Sequence, residues 1–165
     1  MQRILISSCL VGEKVRHDGR DKLNGHPHLI RWQNEGRLVP FCPEIAGGLP
    51  IPRPPAEIQG GDGAAVLRGD AVVETNAGNN VTAAFVSGAE QALALAKKEG
   101  VTMAVLKAKS PSCGVGMIYD GGFNGTQIPG SGVTATLLEQ NGIRVFHENQ
   151  LDEAGAFFAE LNGER

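Results

Sequence analysis

Residues 3–9 read RILISSC, a short apolar, β-branched run that breaks off into serines and a cysteine. Such a run, too short for a helix, reads as a buried strand over residues 3–7. Three more stretches have the same character: residues 37–42 (RLVPFC), 102–107 (TMAVLK) and 143–146 (IRVF). Helical patterns lie between them. In residues 80–99, Phe85, Ala89, Ala92 and Ala96 fall on one face before Gly100 ends the helix. Residues 27–35 begin with a proline at the first helical position and end at Gly36. Residues 131–141 stop before Gly142. Residues 151–161 place Asp152 and Glu153 in the first turn, with Asn149 as cap and Ala154, Phe157 and Phe158 inward. Residues 64–75 (AAVLRGDAVVET) read as a small hairpin inserted before the long helix.

Alternating strands and helices predict a three-layer, Rossmann-like α/β domain around a mainly parallel sheet, with that small inserted hairpin. Strand order is not readable from the pattern. A chain of 165 residues matches one domain over residues 1–165. An apolar fraction of 41% and a net charge of −3 exclude a disordered or strongly basic chain. No apolar run approaches the roughly 18 residues of a membrane span, and the first residues lack a cleavable leader pattern. The expectation is a cytoplasmic protein. With 23 glycines and 9 prolines, much of the backbone must lie in turns and loops.

Sheets of this kind place their chemistry in loops beyond the carboxyl ends of the strands. All three cysteines are predicted there: Cys9 after the first strand, Cys42 ending the second, and Cys113 in the loop after the third. An odd number cannot all pair within the chain, and a reducing cytosol disfavours disulfides. Their positions match no local zinc or ferredoxin motif. If the fold gathers them, three thiolates suit a metal centre with an open fourth position. A [4Fe–4S] cluster held by three cysteines leaves one iron free as a Lewis acid, and sulfur ligands favour such chemistry over hard ions. The alternative is that they are small buried hydrophobes. Spacing alone leaves both readings open.

The flanks add to the first. Glu44 follows Cys42 by two residues, and the glycine- and proline-fixed loop after it is no simple linker. Lys107, Lys109, Ser110 and Ser112 surround Cys113, where positive charge would favour a thiolate, an anionic cluster or an anionic substrate. For these, capping serines and solvated lysines are the plain alternative. His26 and His28 read as cap and solvent contacts at a helix start, and His147 follows the last strand on the same edge. There is no phosphate-binding G-x-x-x-x-G-K-[ST], and Gly61-Asp62-Gly63 precedes the expected hairpin instead of opening a helix.

Four blocks, CLVGEKVRHDG (residues 9–19), FCPEIAGGLPIPRPPAEIQGG (41–61), LKAKSPSCGVGMIYDGGFNGT (106–126) and GVTATLLEQNGIRVFHE (132–148), resemble the bacterial thiouracil desulfidase family, formerly a domain of unknown function. The resemblance runs over residues 4–148. It implies a [4Fe–4S] cluster bound by Cys9, Cys42 and Cys113, with an open iron that binds the sulfur of a thiolated base while water replaces C=S by C=O. It further implies acid–base work for Glu44 and assistance from a serine, carried to Ser110 with Ser112 as rival. The family often has Cys-Arg-Tyr-Asp-Gly where this chain has Val15, Arg16, His17, Asp18 and Gly19; the lost cysteine argues against a four-cysteine closed site, and His17 in place of Tyr leaves the role of this loop open.

The implied partner is a small thiolated base, the protein being a monomer or homodimer with no membrane or DNA partner. Two other functions compete. An iron–sulfur sulfur transferase acting on tRNA would need an adenylating site and basic surface; the net charge of −3 disfavours RNA, leaving only the patch of Arg16, Arg20, Lys22 and Arg31. A non-enzymatic metal- or cluster-binding module would have no need of Glu44, and adventitious zinc on a cysteine-bearing fold is the plainest option.

Overall fold

The run at residues 3–9 forms strand β1, Ile4–Ser7, and closes in a 3-10 turn over Ser8–Val11. The computed structural model describes residues 2–163. After β1 come helix α1 (Pro27–Asn34), strand β2 (Leu38–Phe41), the one-turn helix α2 (Pro43–Ala46), strand β3 (Ala56–Gln59) and helix α3 (Gly63–Arg68). Strand β4 (Val72–Thr75), the long helix α4 (Thr82–Lys98) and strand β5 (Met103–Leu106) follow. Strands β6 (Met117–Tyr119) and β7 (Gln127–Pro129), helix α5 (Val133–Gln140), strand β8 (Arg144–His147) and helix α6 (Leu151–Leu161) complete the order.

The central sheet runs β2-β1-β5-β8, and all three pairings are parallel, so the expected mainly parallel sheet is wholly so. Ile4 lies opposite Leu38 and Met103, and Leu106 opposite His147. Side chains alternate across the strands. Ile4, Ile6, Met103, Val105 and Phe146 therefore face one way, against Leu29 and Trp32 of α1 and Leu151, Ala154 and Phe158 of α6. Leu5, Val39, Ala104, Leu106 and Val145 face the other way, against Ala92 and Ala96 of α4 and Ala135 and Leu138 of α5. Covering both faces is what makes these strands read as continuous apolar runs.

Three expectations are corrected. Residues 64–75 are not a hairpin: α3 occupies their first half, and β4 pairs antiparallel with the preceding β3, Ala56 opposite Thr75 and Gln59 opposite Val72. The reason is local. The Asp62 carboxylate accepts the Ala65 N–H at 3.0 Å as an N-cap, and Gly69 ends the helix in the left-handed conformation at φ 84°. Gly61-Asp62-Gly63 thus does open a helix after a strand, though one of only six residues. Asn149 does not cap α6 either. Gln150 holds that position without a side-chain cap bond, its Oε1 accepting the His147 N–H at 3.1 Å. A third cluster, with Ile58, Val73, Phe85 and Ile118, packs β3, β4, α4 and β6 together. Phe85 of this cluster also lines the cavity that holds the three cysteines.

Candidate active site

Beyond the carboxyl ends of β1, β2 and β5 lies that cavity, of about 420 Å³, whose lining includes Cys9, Cys42 and Cys113, with Glu44 and Ser110. Each cysteine arrives by a different route. Cys9 sits in the 3-10 turn directly after β1, where it is buried. Cys42 is the N-cap of α2, directly after β2, with no hydrogen bond from its side chain to the helix start. Cys113 comes on the loop after β5 and is buried.

All three thiols line the same cavity, and all three are held above the ordinary thiol value. Burial pushes the Cys9 thiol up to about 11, and the charge of Cys42 raises it further against the pull of Lys107 and Arg16. Cys113 is pushed up to about 12, first by burial, with Glu44, Cys42 and Cys9 adding to the rise and a hydrogen bond from the Ser7 hydroxyl opposing it. Cys42 is raised mainly by burial; Glu44 adds to this, and the backbone N–H of Ile45 and the Arg53 guanidinium oppose it. Left alone, the thiols are neutral, while a soft metal would ionise them. Among the described residues no three His, Cys, Asp or Glu side chains form a nest for one metal ion. Three thiols lining one cavity are a donor set whose softness suits an iron–sulfur group. Arg16 and Lys107 beside Cys9, Arg53 beside Cys42 and the Ser7 hydroxyl at Cys113 all favour sulfur in its anionic form.

Glu44 lies in the first turn of α2 with its side chain 15% exposed. Its Oε2 takes both Nε (2.9 Å) and Nη2 of Arg53. Ser110 Oγ accepts two backbone N–H groups, from Cys113 at 2.6 Å and Ser112 at 3.1 Å. With its acceptor capacity used, its own O–H is the group left to donate. Ser112 is not in the lining: it is wholly buried, its hydroxyl 2.7 Å from that of Thr134.

The other residues singled out by sequence divide in the same way. Lys107 and Lys109 both line the cavity; Lys107 Nζ donates to Ala108 O at 3.1 Å and lies 3.4 Å from Glu148, and Lys109 adopts φ 71°. Val15, Arg16 and His17 line it too, whereas Asp18 closes a turn by accepting the Arg20 N–H. The basic patch is therefore divided, with Arg16 in the cavity wall and Arg20 3.9 Å from Asp18. His26 caps α1 by accepting the His28 N–H, and His28 stacks on Trp32. His147 lies outside the lining, its ring nitrogen accepting the Asn149 N–H.

Sequence reasoning passed over Arg53, Glu57 and Ser7. Arg53 and Glu57 are buried and line the cavity; Glu57 accepts the backbone N–H groups of Gly121 and Phe123. A lone arginine among the prolines of PIPRPP was the available signal.

The sequence profile described as 2-thiouracil desulfurase matches residues 4–150. A relative from Bacillus subtilis (strain 168), the "Uncharacterized protein YbbK", is 45% identical over 150 residues, 91% of this chain and 98% of the relative. The solved structure of the [4Fe-4S]-dependent thiouracil desulfidase TudS is 45% identical and superposes with a TM-score of 0.87, covering 96% of this chain and 99% of that one. On the profile match and these two likenesses, the chain belongs to the 2-thiouracil desulfurase family.

Proposed function

We propose that this protein is a [4Fe–4S]-dependent desulfidase that converts a thiolated base of the 2-thiouracil type, with water, into the oxo base and hydrogen sulfide. The reaction is balanced without an oxidant or reductant, since one water oxygen replaces one sulfur. The observation that carries the reading is the meeting of Cys9, Cys42 and Cys113 in one cavity beside a carboxylate. When bound, a cluster with three cysteine ligands supplies a thiophilic Lewis acid at its remaining iron.

The chain's own residues do the rest. Cys9, Cys42 and Cys113 hold the cluster, with Arg16 and Lys107 offsetting the negative charge near Cys9. Glu44 uses the carboxylate oxygen not held by Arg53 to take a proton from the attacking water. Ser110 directs its free O–H into the cavity as a hydrogen-bond donor to the substrate. Ser112 serves instead to hold the Ser110–Cys113 loop against α5 through Thr134. Phe41 and Phe85 in the lining provide apolar wall suited to the faces of a planar ring.

A small base is the fitting partner for a cavity of about 420 Å³, and the net charge of −3 speaks against nucleic acid. We place the work in the cytoplasm, where iron–sulfur thiolates stay reduced; no helix among the described residues is long and apolar enough to cross a membrane. The test is an anaerobic assay of the iron-loaded protein over a panel of thiopyrimidines and thiopurines. Equimolar uracil and sulfide from 2-thiouracil are expected, whereas an iron-loaded protein that releases no sulfide from any thiolated base would overturn the reading.

A further inference from the structure

We infer that Arg53 is the positioning residue of the reaction, holding the Glu44 carboxylate by one oxygen so that the other faces the cavity. This rests on the reading of Glu44 as the base. Arg53 has a side chain only 6% exposed, and its guanidinium bonds within this corner of the site. Nε and Nη2 both donate to Glu44 Oε2; Nη2 also reaches Val15 O at 3.0 Å, and Nη1 reaches Pro50 O at 3.3 Å. The Arg53 backbone N–H donates to His17 O at 2.7 Å.

The guanidinium therefore joins the loop that follows Cys9 to the loop that follows Cys42, with the base between them. Among the described residues no hydrogen bond is made to Glu44 Oε1, and that atom is not among the buried unpartnered ones, so it is open to water. The backbone end of Glu44 is held as firmly. A Cβ on Gly88 of α4 would stand 2.0 Å from Pro43 O, and one on Gly47 would stand 2.0 Å from Ala84 O, so α2 lies directly on α4 backbone. A base fixed at both ends loses little freedom when water is placed against it. Arginine suits the task because its fork is planar and stays charged.

The test compares iron-loaded Arg53→Gln, Arg53→Lys, Glu44→Gln and Glu44→Asp proteins, together with the Glu44→Asp/Arg53→Gln double variant. Iron content, kcat and KM for 2-thiouracil are read for each. In Arg53→Gln, iron content should match wild type and kcat should fall about 10–100-fold, as for other outer-shell partners, with KM changing far less. Lysine should restore part of kcat, and the double variant should be no slower than Glu44→Asp alone.

The inference is overturned if Arg53→Gln keeps full kcat, loses iron in step with activity, or adds its whole loss to that of Glu44→Asp. Should Arg53→Gln not fold, Arg53→Lys decides, since it keeps the charge and loses the fork: a lowered kcat at full iron supports the role and an unchanged kcat refutes it. Glu44→Gln at full rate removes the base reading itself and Arg53's role with it. An inactive Glu44→Gln beside a fully active Arg53→Lys removes the Arg53 role alone.

Discussion

At the level of single residues, the roles proposed for the site separate groups that act from groups that hold. Glu44→Gln removes the carboxylate's basicity but keeps its shape. It should leave iron content unchanged and lower kcat by about 10²–10⁴-fold, the usual contribution of a positioned base. The two serines should part company in the same assay. Ser110→Ala loses the hydroxyl that faces the cavity and should cost activity at unchanged iron. Ser112→Ala leaves the buried Thr134 hydroxyl without its partner, so it should cost about 1–3 kcal/mol of stability in a denaturant titration, with much smaller effects on kcat. The thiols give a pH dependence to the protein stripped of iron. Their folded values lie above the ordinary 9.0, about 11 for Cys9 and about 12 for Cys113. Above pH 9 the unfolded chain releases thiol protons that the folded chain keeps, so the unfolded state gains. Thermal denaturation of reduced, iron-free protein should therefore show stability falling as pH rises from 9 to 11, and Cys113→Ser should flatten that fall.

Elements matter here for how closely they approach. The α2–α4 contact depends on Gly88, where a methyl group would meet backbone that cannot swing aside. Gly88→Ala should lower stability by about 1–3 kcal/mol and reduce kcat with iron retained, because α2 carries Glu44; full activity at lowered stability would separate α2 placement from catalysis. The four strands of the central sheet were legible as short continuous apolar runs, and the helices α1, α4, α5 and α6 by an apolar face and the residues at their ends. The remaining elements were not, for physical reasons. β6 and β7 are three residues each in glycine-rich sequence, and α2 is a single turn started by Pro43. In residues 63–68 the apolar AAVL suggested a strand, but the Asp62 cap and Gly69 decide for a helix. Sequence periodicity over six residues carries less weight than the chemistry of the two ends.

For the molecule as a whole, the parallel order β2-β1-β5-β8 brings three distant cysteines to one rim, since β1 lies between β2 and β5 and all three point the same way. That much of the site followed from strand ends read off the sequence. Arg53 did not, because an arginine in a proline-rich loop looks like a solvated cation until tertiary structure folds it onto Glu44. We propose that one cavity holds a multi-iron group on Cys9, Cys42 and Cys113 and uses it to cleave a C=S bond. The most direct measurement is to count iron and acid-labile sulfide per chain, after anaerobic reconstitution, in wild type and in Cys9→Ser, Cys42→Ser and Cys113→Ser. Sulfide release from 2-thiouracil is followed in the same samples. Wild type should hold about four irons and four sulfides per chain and turn over, and each variant should lose both iron and turnover. A wild type that holds a single metal ion, or a variant that keeps its full iron and its rate, would contradict this proposal.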